Sequence, residues 1–306
     1  MEQTRGLIFH IIHGSFVDGY GIRTTLFLKG CPLRCVWCCN PEGQAFYPEL
    51  KVTAAKCNGC GKCVSVCPVG AIRLLEEKDK PAINVDRKLC ANCGQCIEIC
   101  FAGALEWFGK YYTVEEIFEN VKKDQHFYRS SEGGVTIGGG EATWQPEFTL
   151  ELIKKCKENY IHTAIDTCGY VTSPEGVKCL EEADLLLFDI KDMDPDRHIK
   201  NTGRSNEPIL KNLKRLNDMG KPIIIRVPVV PGYNDFEENL KATAKFLAGL
   251  KSVERVDIIP VHEFGKVKYE QLGKEYRLKT KPLDAERQDE IKAMFEHCGL
   301  NTQIGG

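Results

Sequence analysis

An excess of positive charge is missing from this sequence: 41 Lys and Arg stand against 43 Asp and Glu, a formal net charge of -2. Nothing in that balance recommends nucleic acid or an anionic membrane as a partner. Long apolar runs are missing too. The opening MEQTRGLIFHIIHGSF has no extended apolar core behind a basic start, and no apolar stretch approaches the roughly 18 residues of a membrane span. These absences predict a cytoplasmic protein. What is plentiful is cysteine: 16 in all, twelve of them in the first 100 residues at short, regular spacings. The chain has 306 residues and 42% hydrophobic content, enough for a core without covalent staples. With no export signal, cysteines set two or three residues apart read as metal ligands, not disulfides.

The first motif is Cys31-x3-Cys35-x2-Cys38, just after a predicted strand and a turn at Gly30. Three thiolates on one loop can hold three irons of a 4Fe-4S cubane and leave the fourth open to a substrate, as an open zinc position is in catalytic sites. A zinc knuckle is the competing reading, but zinc usually takes paired C-x2-C motifs. The second and third motifs are Cys57-x2-Cys60-x2-Cys63-x3-Cys67-Pro68 and Cys90-x2-Cys93-x2-Cys96-x3-Cys100. They follow the two-cluster ferredoxin spacing, in which the last cysteine of each run ligates the other run's cluster. Cys57, Cys60 and Cys63 are expected to pair with Cys100, and Cys90, Cys93 and Cys96 with Cys67. Phe101 stands where proline is usual. The two runs align without a gap about 33 residues apart, an internal repeat of one metal-binding half. Cys39, Cys156, Cys168, Cys179 and Cys298 are isolated and read as small buried hydrophobes; Cys39, adjoining a ligand, is also a candidate cofactor contact.

Around this segment runs a βα rhythm. Strands are predicted over Ile22–Leu28, Val135–Gly138, Ile161–Asp166, Asp184–Ile190, Pro222–Val229 and Val253–Ile259, with helical patterns between most of them. After Tyr112, Thr113 and Glu116 form a capping box, and Val114, Ile117, Phe118 and Val121 repeat on one helical face. The expected fold is α/β: a partial (β/α)6 TIM-type barrel with functional residues at the strand C-terminal ends, interrupted by a two-cluster ferredoxin-like insert. The expected division is 1–47 for the start of the barrel, 48–106 for the insert and 107–306 for the remainder. A doubly wound open sheet is the alternative.

Cys31-Pro32-Leu33-Arg34-Cys35-Val36-Trp37-Cys38 resembles the signature of the radical S-adenosylmethionine (SAM) superfamily. Ser15-Phe16-Val17-Asp18-Gly19-Tyr20-Gly21-Ile22-Arg23-Thr24 resembles the opening of glycyl-radical enzyme activating enzymes, with Tyr20 where that family usually has Pro. Further similar stretches, in the family's order, are Gly138-Gly139-Gly140-Glu141, Asp166-Thr167-Cys168-Gly169, Asp189-Ile190-Lys191, Arg226 to Gly232 and Ile259 to Gly265. The ferredoxin-like segment is similar to that of the family's larger members.

The resemblance implies three 4Fe-4S clusters, one binding SAM, a larger glycyl-radical enzyme as partner, and flavodoxin or ferredoxin as electron donor. It also implies SAM contacts at Trp37, Cys38, Cys39, Gly139, Gly140, Glu141, Asp166, Asp189, Ile190, Lys191, Arg226 and His262. In this reading Glu141 accepts from the SAM ammonium group, Arg226 clamps its carboxylate bidentately, and Asp18 with Arg226 arranges SAM and the incoming glycine. Two other classes compete: a radical SAM enzyme modifying another protein residue or a small molecule, as sulfatase-maturing enzymes do, and an iron-sulfur electron carrier. The carrier has no use for a three-cysteine open site.

Overall fold

The computed structural model describes residues 3–76 and 81–305. Its strands are β1 (Arg5–Ser15), β2 (Arg23–Leu28), β3 (Glu49–Val52), β4 (Ile72–Glu76), β5 (Pro81–Val85), β6 (Leu105–Phe108) and β7 (Lys110–Thr113). There follow β8 (Gly134–Gly139), β9 (His162–Thr167), β10 (Leu185–Asp189), β11 (Ile223–Val229), β12 (Val253–Pro260) and β13 (Thr302–Ile304). One nine-stranded sheet has the order β13-β12-β11-β10-β9-β8-β2-β1-β7. All six predicted strands are present in it. From β2 through β8 to β13 neighbours pair in parallel and in sequence order, with no reversal of the kind a doubly wound sheet requires. β1 pairs antiparallel with β2, and β7 antiparallel with β1.

The apolar runs of β9 to β11 are those of strands covered on both faces. Successive side chains alternate, so Leu186, Phe188, Ile223 and Ile225 join the large core beneath the helices, while Ala164, Leu185, Leu187 and Ile224 form a small cluster on the opposite face. Continuing that second set by two residues reaches Asp166, Asp189 and Arg226. Strand periodicity alone therefore delivers three charged side chains to one face of adjacent strands, Asp166 and Asp189 near the ends of β9 and β10 and Arg226 midway along β11. The helix Val114–Lys122 begins as predicted: Thr113 Oγ1 accepts from the Glu116 amide at 3.2 Å and the Thr113 amide donates to Glu116 Oε2 at 2.7 Å.

The cysteine-rich segment leaves and rejoins through one stalk, β3 paired antiparallel with β6. β4 and β5 form a separate hairpin. The repeat is physical as well as sequential. Short helices Lys62–Ser65 and Gln95–Glu98 each start after a left-handed glycine, Gly61 and Gly94, at φ 70° and 82°. Each run's third cysteine, Cys63 or Cys96, lies buried in its helix.

Candidate active site

A cavity of about 560 Å3 lies at the C-terminal ends of the parallel strands. Its walls include Asp18, Cys31, Cys35, Trp37, Cys38, Cys39, Gly139, Gly140, Asp166, Asp189, Lys191, Arg226 and His262. Residues drawn from seven separate stretches of sequence thus meet in one place. Glu141 and Ile190 do not line it.

The three-cysteine loop is held by backbone pairing to distant segments. The Gly30 amide donates to Gly43 O at 2.8 Å, Arg34 to Thr202 O at 2.7 Å and Val36 to Asn201 O at 3.0 Å. Gly139, at φ 103°, and Gly140 let the end of β8 press on this loop: a Cβ on Gly139 would sit 2.5 Å from the Leu28 nitrogen, and one on Gly140 2.5 Å from Gly43 O. The glycine triplet is thereby explained by chain-to-chain approach beneath the cavity as well as by exposure to a ligand. Burial pushes the Cys35 thiol up to about 12 and the Cys38 thiol well above its usual value, while a hydrogen bond from Cys168 brings Cys31 down. Three half-buried thiols on one loop facing the cavity are a donor set that suits a metal ion or cluster.

Opposite the loop, Arg226 is clasped by two carboxylates. Its Nη1 donates to Asp166 Oδ2 at 3.1 Å and its Nη2 reaches Asp18 Oδ1 at 3.4 Å and the Val17 carbonyl. Asp18 is itself fixed, since its Oδ2 accepts from Ser15 Oγ at 2.7 Å and Thr25 Oγ1 at 2.8 Å. Burial raises the Asp166 carboxyl to about 7, against the pull of the Arg226 charge. Burial also works against the Arg226 guanidinium, but Asp166 and then Asp18 outweigh it and hold its pKa above the ordinary value. Lys191 pairs with Asp189, and that charge raises the lysine despite its burial. One donor of this cluster, Arg226 Nε, is buried without a partner among the described residues.

Several of the singled-out residues sit differently from the expectation. The Glu141 carboxylate, predicted to meet an ammonium group, is fully buried and occupied: it accepts from Thr143 Oγ1 at 2.8 Å, Thr167 Oγ1 at 3.0 Å and the Cys168 amide at 2.8 Å. It braces the Thr167-Cys168-Gly169 turn. Replacing it with Ala orphans those donors at 1–3 kcal/mol each, softened by water, so Glu141→Ala should lose about 3 kcal/mol in urea unfolding of the apoprotein. Ile190 is buried in the core and contributes only backbone, its amide donating to Arg226 O at 2.9 Å. Cys156 and Cys179 are buried as expected, but Cys39 and Cys298 are exposed, the latter just past the helix Ala285–His297. Cys168 is buried yet belongs to the cavity wall beside Cys31. Val17, Gln44, Pro228 and Pro260 line the cavity without having been singled out for it.

In the insert, the cysteines fall into two groups, each drawing three thiols from one run and one from the other. One hollow is lined by Cys57, Cys60, Cys63 and Cys100, the other by Cys90, Cys93, Cys96 and Cys67. Four thiols with apolar neighbours such as Leu74 and Ile83, or Leu50 and Trp107, suit an iron-sulfur cubane.

Residues 90–247 match the family model of the Radical SAM superfamily, and residues 56–104 that of a 4Fe-4S dicluster domain. The chain is 44% identical over 304 residues to the trans-4-hydroxy-L-proline dehydratase activating enzyme of Clostridioides difficile, covering 98% of this chain and 99% of that one. It is 40% identical over 285 residues to the choline trimethylamine-lyase activating enzyme of Oleidesulfovibrio alaskensis, 92% of each chain. Against the 4-hydroxyphenylacetate decarboxylase activating enzyme of Clostridioides difficile it is 37% identical over 310 residues, with 99% and 97% covered. Among solved structures, Streptococcus suis SuiB bound to precursor peptide SuiA aligns with a TM-score of 0.52 at 16% identity, over 64% of this chain and 43% of that one, a likeness of fold alone. The chain belongs to the radical SAM superfamily and, within it, to the activating enzymes of glycyl-radical enzymes.

Proposed function

We propose that the protein generates the glycyl radical of a larger partner enzyme, with Cys31, Cys35 and Cys38 holding a SAM-binding 4Fe-4S cluster and the insert holding two more. Cys31, Cys35 and Cys38 would hold the cluster, and with SAM bound it would supply reductive cleavage of the sulfonium and the hydrogen abstraction from a glycine Cα that follows from it. The observation that carries this reading is the convergence of the three-cysteine loop with Asp18, Asp166, Asp189, Lys191 and Arg226 on one cavity. The chain's residues bind, orient and exclude water. Arg226 offers a fixed guanidinium for a carboxylate, and Asp166 and Asp189 offer acceptors for ammonium or ribose donors. Trp37 and His262 supply ring walls, and Asp18 holds Arg226 in place from a neighbouring segment.

The sheet is read as a partial (β/α)6 barrel, with residues 1–47 and 107–306 forming it and 48–106 the inserted module. The two crossed cysteine nests suit an electron relay fed by flavodoxin or ferredoxin. Anaerobic incubation of the reconstituted protein with SAM and dithionite should release 5′-deoxyadenosine. Adding the partner glycyl-radical enzyme should give a radical EPR doublet. Absence of 5′-deoxyadenosine would reduce the protein to an electron carrier; its formation without a glycyl doublet would point to another hydrogen donor.

A further inference from the structure

The repeat that builds the two cysteine nests is broken just ahead of each run. Three residues before the first cysteine, one copy has Ala54 and the other Arg87. Arg87 opens the turn that leads into Cys90, closed by the Cys90 amide donating to Asp86 O at 3.0 Å. Its guanidinium is partly buried and ties two other elements together. Nη1 donates to Leu50 O of the stalk at 2.6 Å, and Nη2 to Gln271 O at 3.1 Å, at the end of the helix Lys266–Gln271. Leu50 also walls the hollow of Cys90, Cys93, Cys96 and Cys67, so the cation is fastened to the wall of that nest. Gly273, at φ 63°, leaves room for it: a Cβ there would lie 3.1 Å from Arg87 Nε. That Nε is buried without a partner among the described residues. Burial lowers the guanidinium's pKa, and the charge of Cys90, then of Glu49 and Cys96, works against the lowering.

Nearby acids are spent elsewhere. Glu49 is shared between Lys29 at 3.0 Å and Lys274 at 2.9 Å, and Asp86 is exposed with its Oδ1 accepting from the amides of Lys88 at 2.9 Å and Leu89 at 3.3 Å. A neutral amide could make the two backbone bonds of Arg87 without the cost of burying a charge. The charge therefore needs an anionic counterpart, and the thiolate nest beside it is one. We propose that Arg87 is a positioning residue whose guanidinium offsets the negative charge of a cluster bound by Cys90, Cys93, Cys96 and Cys67 and eases its one-electron reduction. This rests on the reading of the insert as a two-cluster module. Reduction breaks no bond: the donor, dithionite or a reduced carrier, loses one electron and the cluster gains it. The reduced form is one unit more negative, so a fixed cation beside it favours that form over the oxidised one. Burial makes this cation effective. Lys62, which walls the other hollow, is exposed over the Phe101 ring at 5.3 Å, where water and salt screen it. Through Gln271 the same guanidinium also joins its nest to a helix that begins against the three-cysteine loop, where a Cβ on Gly265 would lie 3.0 Å from Cys39 Cα.

The test is an EPR-monitored redox titration of the anaerobically reconstituted full chain with dithionite. The SAM-binding cluster is recognised by the change of its signal when SAM is added, which leaves the two insert midpoints. Arg87→Gln removes the charge and keeps an amide donor. It should lower one insert midpoint by about 59 mV or more, a tenfold loss in the one-electron reduction equilibrium, and leave the other in place. Arg87→Lys should restore most of the shift, and Lys62→Gln should move neither midpoint as far. Iron lost from Arg87→Gln and regained in Arg87→Lys would equally tie the charge to the cluster, whereas loss from both would make Arg87 a packing residue and overturn the proposal. Unmoved insert midpoints in fully iron-loaded Arg87→Gln also overturn it, as does a shift that Arg87→Lys leaves uncorrected or that Lys62→Gln matches. Absence of both insert midpoints from the unmodified protein would instead sink the two-cluster reading, and the proposal with it.

Discussion

Cys35→Ala protein, reconstituted anaerobically, should release 5′-deoxyadenosine at least about a thousandfold more slowly than the unmodified chain, a barrier difference of ~4 kcal/mol. It should also carry about four fewer irons, the content of one cubane. The loss is large because Cys35 sits in the middle of the three-cysteine loop and supplies one of its three thiols. Cys60→Ala and Cys93→Ala remove ligands of the two insert nests and should behave differently. With dithionite they should still support a single turnover, while repeated turnover with a protein donor falls. Full steady-state activation in both insert variants would refute the relay role, and undiminished cleavage in Cys35→Ala would refute the assignment of the open cluster to this loop.

Much of this arrangement is legible in the sequence because it is local. Cysteine spacing fixes which thiols share a loop, and the tandem repeat predicts the crossed nests of Cys57, Cys60, Cys63 with Cys100 and of Cys90, Cys93, Cys96 with Cys67. The apolar runs ending at Asp189 and Arg226 announce strands that carry charge, Asp189 at the tip of β10 and Arg226 midway along β11. The capping box at Thr113 is equally local. What escaped is non-local. Glu141 follows a glycine triplet and looks poised for a ligand, but its direction is decided by Thr167 and Cys168 on the next strand. Strand β1 was missed because its exposed and buried positions do not alternate cleanly, and its place comes from antiparallel pairing with β2 and β7. Cys298 departs from the buried expectation because it follows a helix end at the surface, a tertiary fact with no mark in its neighbours.

Arg226→Met should be the second severe change, and it acts through charge. The guanidinium is almost enclosed, with its side chain 13% exposed, and bridges Asp18 and Asp166. Removing one member of a buried ionic cluster strands the others, an effect of about 3–5 kcal/mol. Part of it is relieved by protonation. Asp166 already titrates near 7 with Arg226 beside it, and loss of the cation moves its pKa higher, so the variant carries a neutral Asp166 at neutral pH. The sign for stability follows from proton counting. Between the ordinary 3.8 and about 7 the unfolded chain binds fewer protons at this site than the folded one, so its contribution to stability falls as pH rises through that window. In Arg226→Met the decline should extend above pH 7, and in Asp166→Asn it should vanish. Chemical denaturation across pH 4 to 9 measures both. SAM cleavage should fall at least a hundredfold in Arg226→Met, about 2.7 kcal/mol of barrier, and Arg226→Lys should recover stability more than cleavage because an ammonium restores charge without the bidentate fork. Equal recovery of both would show that Arg226 serves as a counter-charge to its two aspartates and not as a clamp for the ligand.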